Sequence, residues 1–164
     1  MSDHKLAIMP KRFGVFALMM AVATPAIADV TGKARVIDGN TLEIGGERVR
    51  LDGIDAPDPG QQCLSGKGKP YDCGTHATAE LSGLVSGHTL VCKGEERDPD
   101  GRLIAICSLG PFDLNEMMVA DGWAVADPGR GKAYVRAETA ARARKEGLWK
   151  GTFDPPWKWR RKRK

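Results

Sequence analysis

The sequence predicts a mainly-β α+β domain, a five-stranded Greek-key barrel of the OB type carrying about three helices. Three observations predict it. Apolar and polar residues alternate from Thr31 to Ile54, a stretch with helical spacing follows, and two further strand-like stretches flank a tight turn before helical spacing resumes. Five short strands with a helix between the third and the fourth suit a partly open Greek-key barrel better than a sandwich. A chain of 164 residues, 41% apolar and 28% charged, holds one modest core, which excludes a multidomain assembly and argues against a disordered chain.

The elements follow in order. Lys5, Lys11 and Arg12 lead an apolar run from Phe13 to Ala23, and Ala26-Ile27-Ala28 then precedes Asp29. A basic lead, an apolar run and a small-x-small site make a secretory signal peptide over residues 1–28. The run is too short to span a bilayer comfortably, so an exported chain starting at Asp29 is expected, secreted or periplasmic and without a membrane span. Ala34 and Val36, Leu42 and Ile44, and Val49 and Leu51 mark three strands, joined by turns at Asp38-Gly39-Asn40 and Gly45-Gly46. Asp55 to Tyr71 has no period and reads as a long loop. Ala77, Leu81, Leu84 and Val85 place a helix over about Thr75 to Ser86, with Gly87 ending it. Strands follow near His88 to Lys93 and Arg102 to Ser108 about a turn at Asp98-Pro99-Asp100-Gly101. Asp113 with Glu116 three residues later starts a second helix that ends at Gly122, and a third covers Ala133 to Lys145. The domain then spans residues 29–154, followed by a tail over residues 155–164.

Cys63, Cys73, Cys92 and Cys107 all lie in the exported portion, where an even count reads as two disulfides. Three pairings are possible. The antiparallel strands about the Asp98–Gly101 turn place Cys92 opposite Cys107, which favours that pair and leaves Cys63–Cys73 to clip the long loop. No C-x-x-C pair exists, and His76 and His88 lack ligand-like spacing, so zinc is disfavoured.

Charge is unevenly placed. The sequence pI of about 8.9 is basic, but Lys158 and Arg160 to Lys164 supply the excess. Between Asp29 and Trp157 acidic residues outnumber basic ones, so the pI is no evidence for a basic binding face over the whole domain. The tail mixes Trp157 and Trp159 with these cations. It reads either as a solvated, partly disordered end or as an electrostatic attachment to nucleic acid, anionic polysaccharide or a membrane surface.

The densest group of chemistry-bearing side chains is Asp38-Gly39-Asn40-Thr41, Arg50-Leu51-Asp52-Gly53-Ile54-Asp55-Ala56-Pro57-Asp58 and Asp98-Pro99-Asp100-Gly101-Arg102. Together these segments resemble the staphylococcal nuclease (thermonuclease) family, whose core reads D-G-D-T, R-L-x-x-x-D-x-P-E and Y-G-R. The resemblance covers about Lys33 to Trp149. Gln62-Cys63, Tyr71-Asp72-Cys73-Gly74 and Gly147-Leu148-Trp149 are further similar to a secreted bacterial branch that includes proteins named for succinoglycan biosynthesis.

The resemblance implies a calcium-dependent, endonuclease-like phosphodiesterase acting on DNA or RNA, working as a monomer. It assigns Arg50 and Arg102 to the phosphate, where two fixed guanidiniums stabilise the negative charge of the transition state. Asp55, the Asn40 side chain and the Thr41 carbonyl hold Ca²⁺, a hard ion that takes oxygen ligands. Asp58 orients or deprotonates the attacking water. Three positions depart from the pattern. Asn40 replaces an Asp and removes one charge from the cation site, Asp58 is one methylene shorter than Glu, and Asp100 replaces the Tyr before Gly-Arg, where it can pair with Arg102. These departures define the alternative, a catalytically impaired module that binds nucleic acid or anionic polysaccharide, and the resemblance to the succinoglycan-associated proteins alone adds an accessory role in exopolysaccharide production. Taken singly, Arg48, Arg50 and Asp52 would read as the solvated face of a strand, and Asp38–Asn40 and Asp98–Gly101 as turn chemistry.

Overall fold

A computed structural model describes residues 29–163. The signal peptide expected over residues 1–28 lies outside the described residues. The strands are β1 (Val30–Gly32), β2 (Ala34–Asp38), β3 (Thr41–Ile44), β4 (Glu47–Leu51), β5 (Ile54–Asp55), β6 (Gln62–Leu64), β7 (Pro70–Asp72), β8 (Leu90–Arg97), β9 (Leu103–Leu109), β10 (Phe112–Asp113) and β11 (Val125–Ala126). The helices are α1 (Cys73–Val85), α2 (Leu114–Ala120), α3 (Val135–Arg144) and α4 (Pro156–Arg161), with a 3₁₀ turn at Gly147–Lys150.

The main sheet runs β1-β8-β9-β4-β3-β2, with β10 paired to β9. Its centre is the five strands expected from sequence, and β1 and β10 extend it. β1 comes back within reach of β3, so the sheet curls in the barrel-like manner of an OB fold. Period-two alternation decides which side faces inward. Leu42, Val49, Leu51, Leu90, Leu103 and Ala105 point into the core, where they meet Ala77, Leu81 and Val85 of α1 and Leu114, Met118 and Val119 of α2.

The parallel β4–β9 pair matters most for function. It sets Arg50 opposite Ile104, and Arg102, two residues before Ile104, falls on the same outward face. Two cations far apart in sequence thus reach one side of the sheet.

Several boundaries move for identifiable reasons. α1 starts at Cys73 rather than Thr75 because the Asp72 carboxylate accepts the Thr75 N–H at 2.9 Å. Asp113 caps α2 as expected, accepting the Glu116 N–H at 3.0 Å. The segment read as an aperiodic loop contains β5 and the β6–β7 hairpin. Cys63 sits opposite Tyr71 in that hairpin, and the Cys63–Cys73 disulfide closes it. Cys92 and Cys107 face each other directly in the β8–β9 register and form the second disulfide. The tail departs furthest from a solvated, disordered end, because Pro156 opens α4 and is itself buried. No helix among the described residues is long and apolar enough to cross a membrane.

Candidate functional site

The site is built around one buried carboxylate. β5 pairs with β11, setting Asp55 opposite Val125, and the Asp55 side chain is only 2% exposed. An ionised carboxylate there needs positive or hydrogen-bonding partners, since burial disfavours the charge. It has three: Arg160 Nη2 donates to Oδ2 at 2.6 Å, Arg50 Nη2 lies 3.6 Å from Oδ1, and Asn40 Nδ2 lies 3.4 Å from Oδ1. Burial pushes the Asp55 carboxyl above its ordinary range, while the Arg160 hydrogen bond and the charges of Arg160 and Arg50 pull the other way.

The β2–β3 turn and the β3–β4 hairpin supply the next residues. Asn40 donates its N–H to Asp38 Oδ1 at 3.0 Å, the turn chemistry expected of Asp38, and its carbonyl accepts the Leu51 N–H at 2.9 Å. Thr41 lies opposite Arg50 in the register and is fully buried, with its hydroxyl 3.5 Å from Asn40 Oδ1. Asn40, Thr41, Arg50 and Asp55 are therefore brought together.

Asp58 joins them from the following loop. A Cβ added at Gly74 would collide with the Asp58 carbonyl, so the absence of a side chain lets the start of α1 press against this loop. Gln61, fully buried, holds the loop from behind: its Oε1 faces the Asp58 N–H at 3.4 Å, and its Nε2 donates to the Asp154 carbonyl at 2.8 Å. That second bond ties the loop to the residues just before α4. Arg160 then donates Nη1 to Asp58 Oδ2 at 2.8 Å while Nη2 holds Asp55, so one guanidinium spans the two carboxylates.

Arg102 is on the same side of the sheet but differently engaged. It donates Nε to Asp98 Oδ2 at 2.6 Å, and its Nη2 lies 3.1 Å from Asp100 Oδ2. The Asp100 pairing follows from the sequence, and the tighter Asp98 clamp does not. Burial pushes the Asp98 carboxyl up, but the Arg102 side chain and the Arg102 and Asp100 N–H groups outweigh it and hold Asp98 below the ordinary carboxylate range. Arg50 and Arg102 line a common cleft of about 240 Å³ with Asp52, Asp98 and Arg130. Arg130 closes one side by donating to Asp52 at 2.7 Å and Glu96 at 2.9 Å. Tyr134 is no stacking platform for a base, because it is buried against Gly53 and donates its hydroxyl to Asp113 at 2.9 Å.

The sequence points to six residues at or beside this site and leaves four without a role assigned there: Arg160, Gln61, Asp98 and Arg130. Arg160 lies in a tail that the sequence marks by its cations and tryptophans alone, and its partners are 102 and 105 residues away. Gln61 carried no motif. Asp98 was visible as a turn residue, and its position four before Arg102 is the one local signal for the clamp.

The donor set fits a hard cation. Asp55 and Asp58 supply carboxylates, the Asn40 amide can turn its oxygen toward them, and the point between the carboxylates already accepts a positive charge, that of Arg160. Among the described residues no three His, Cys, Asp or Glu side chains converge, so the set has two carboxylates and otherwise neutral oxygens.

The family model of the staphylococcal nuclease homologues matches residues 48–151. The chain is 34% identical over 137 residues to the succinoglycan biosynthesis protein ExoI of Rhizobium meliloti (strain 1021), covering 82% of this chain and 72% of that protein. It is 31% identical over 177 aligned positions to the micrococcal nuclease of Shigella flexneri, covering 96% of this chain and 95% of that one.

Proposed function

The chain belongs to the staphylococcal nuclease family, and from that premise we propose that it is an exported, metal-dependent phosphodiesterase that hydrolyses DNA or RNA. The observation that carries this proposal is that Arg50 lines a cleft with Arg102 and contacts Asp55, which Arg160 in turn joins to Asp58. Those residue types in one place are what phosphodiester hydrolysis requires.

The chemistry divides among them. The phosphate diester enters the cleft with its non-bridging oxygens toward Arg50 and Arg102. Arg50 is 23% exposed and engages Asp55 at 3.6 Å, a loose contact that leaves donors free for phosphate. Arg102 swings from Asp98 and Asp100 to complete the clamp. As water attacks phosphorus, negative charge builds on the equatorial oxygens, and both guanidiniums bind that state more strongly than the ground state. Asp58 accepts the proton from the attacking water, and the P–O bond to the leaving alkoxide breaks. Asp55, Asn40 and Thr41 would hold the divalent cation, for which calcium is the family expectation. Once bound, it neutralises charge on the phosphate as a Lewis acid. The two disulfides support a location outside the reducing cytosol, secreted or periplasmic. Lys158 and Arg161, without carboxylate partners among the described residues, are the cations through which α4 would meet a polyanion.

One observation favours a second reading. Both groups of the phosphate and water machinery are engaged internally, Arg102 by Asp98 and Asp100 and Asp58 by Arg160. A module that binds nucleic acid or anionic polysaccharide without cleaving it would tolerate this, and the likeness to a protein named for succinoglycan biosynthesis agrees with an accessory role there. End-labelled single-stranded DNA and RNA separate the two readings. Shortened products with calcium and none with chelator support the hydrolase, and retarded complexes without products, across metals, support the binding module.

A further inference from the structure

We propose that Arg160 occupies the cation position of this site and that α4 is a gate that must lift before a divalent cation can bind. The inference rests on the assignment of Asp55 to the cation and of Asp58 to the attacking water beside it, and concerns how that site is controlled.

The geometry is that of a tethered competitor. The Arg160 guanidinium reaches the Asp55 and Asp58 carboxylates with separate nitrogens, at 2.6 and 2.8 Å, and so occupies the space at the carboxylate assigned to the cation together with that at the one assigned to the attacking water. A guanidinium and a dication cannot share that space, because the oxygens that would face the ion face Arg160, and the two positive charges repel. Arg50 cannot play the same part. Among the described residues its one ion pair is with Asp55, at 3.6 Å, and none reaches Asp58.

The hold on α4 is suited to release. The helix has six residues, and Pro156 is its one buried side chain. Its attachments are few: Gln61 Nε2 to the Asp154 carbonyl, Lys162 to Asp154 at 2.6 Å, and Trp157 along a groove with Trp149 and Phe153. The Gln61 bond to Asp154 fixes the base of the helix and can persist while its later turn lifts, whereas the Lys162–Asp154 pair, at the far end, is given up with it. Arg160 is 37% exposed, so water can replace its carboxylate bonds as it leaves. Trp157 and Trp159 are only half-buried, and an element with a single fully buried side chain opens more easily than one anchored in the core. The contact that holds Arg160 over the site is the ion pair itself, and metal binding removes that contact.

The apparent affinity for a cation is the intrinsic affinity reduced by the fraction of molecules in which the gate is open. Calorimetric titration of the purified protein with calcium should therefore show Arg160→Ala binding about tenfold to a hundredfold tighter than wild type. Asp55→Ala should abolish the binding in both backgrounds. In the wild-type protein, saturating calcium should speed amide exchange over residues 156–161 while α1 and β9 keep their protection. That second readout stands if removing Arg160 lowers the stability of the fold. Equal, Asp55-dependent affinities in wild type and Arg160→Ala would overturn the gate and leave the metal site intact, as would unchanged α4 protection at saturating calcium. Absence of calcium binding in every variant would overturn both.

Discussion

Restoring a carboxylate at position 40 tests the electrostatics of the site from both directions. The Asn40 amide nitrogen lies 3.4 Å from Asp55 Oδ1, and both residues are buried. In Asn40→Asp an ionised oxygen would take that position, and two like charges so close repel by about 5 kcal/mol at an effective dielectric constant of about 20. The penalty has a ceiling, because either carboxyl can instead take a proton, which for an ordinary Asp at pH 7 costs roughly 4 kcal/mol. Arg50 and Arg160 attract the new charge and lower the figure further, to a net loss of about 2 kcal/mol. For a domain of this size that is a fall in Tm of roughly 6–10 °C in chelator. A divalent cation between the carboxylates reverses the sign. At a hundred times Kd it adds about 2.7 kcal/mol, so calcium should raise the variant's Tm above its metal-free value by more than it raises that of wild type. Paired thermal melts in chelator and in calcium are the assay. A variant as stable as wild type in chelator, with no larger gain in calcium, would refute the placement of residue 40 beside the cation.

Other perturbations probe the neighbouring contacts. Asp98→Asn keeps acceptors for the Arg102 and Asp100 N–H groups but weakens the 2.6 Å hold on the Arg102 side chain. It should tighten oligonucleotide binding by about threefold to tenfold, measured by fluorescence anisotropy at fixed salt. Because Asp98 is held below the ordinary carboxylate range, its contribution to stability is fully present above the unfolded-state pKa and is lost as pH falls through the lowered folded value. Acid unfolding of Asp98→Asn should accordingly be less steep than that of wild type. Gln61→Ala removes the bonds to Asp58 and Asp154 and leaves a buried gap, at a cost of about 2–4 kcal/mol by urea unfolding, with α4 loosened at the same time. Replacing Cys63 and Cys73 by Ala opens a loop with a sequence separation of 10 and should cost about 3 kcal/mol, also by urea unfolding.

What the sequence made legible follows from the range of each signal. Strands β2, β3, β4, β8 and β9 were visible because period-two alternation is local, and Asp113 and Gly87 marked helix ends for the same reason. The Cys92–Cys107 pair could be read because a turn fixes the register of strands joined by it. Asn40, Thr41, Arg50 and Asp55 came together as one motif spacing implied, since a hairpin and the strand after it carry them all. The β6–β7 hairpin escaped notice because Gly and Pro flank it and its three-residue strands are too short to show a period. Arg160 escaped for a different reason. Charge runs at chain ends look alike whether solvated or docked, and only the buried Asp55, 105 residues earlier, distinguishes this one. Arg130 likewise finds Asp52 across 78 residues with no local pattern to announce it.

The central claim is that Arg50 and Arg102 act together on a phosphodiester. Its most direct test is cleavage of single-stranded DNA and RNA by wild type, Arg50→Ala and Arg102→Ala, each in calcium and in chelator, with folding checked by circular dichroism. Wild type should give calcium-dependent products and each folded variant should lose about a hundredfold or more, the size expected for removing one donor to a developing oxyanion. Cleavage that survives both substitutions, or a folded wild type that leaves both substrates intact with every divalent metal tried, would contradict it.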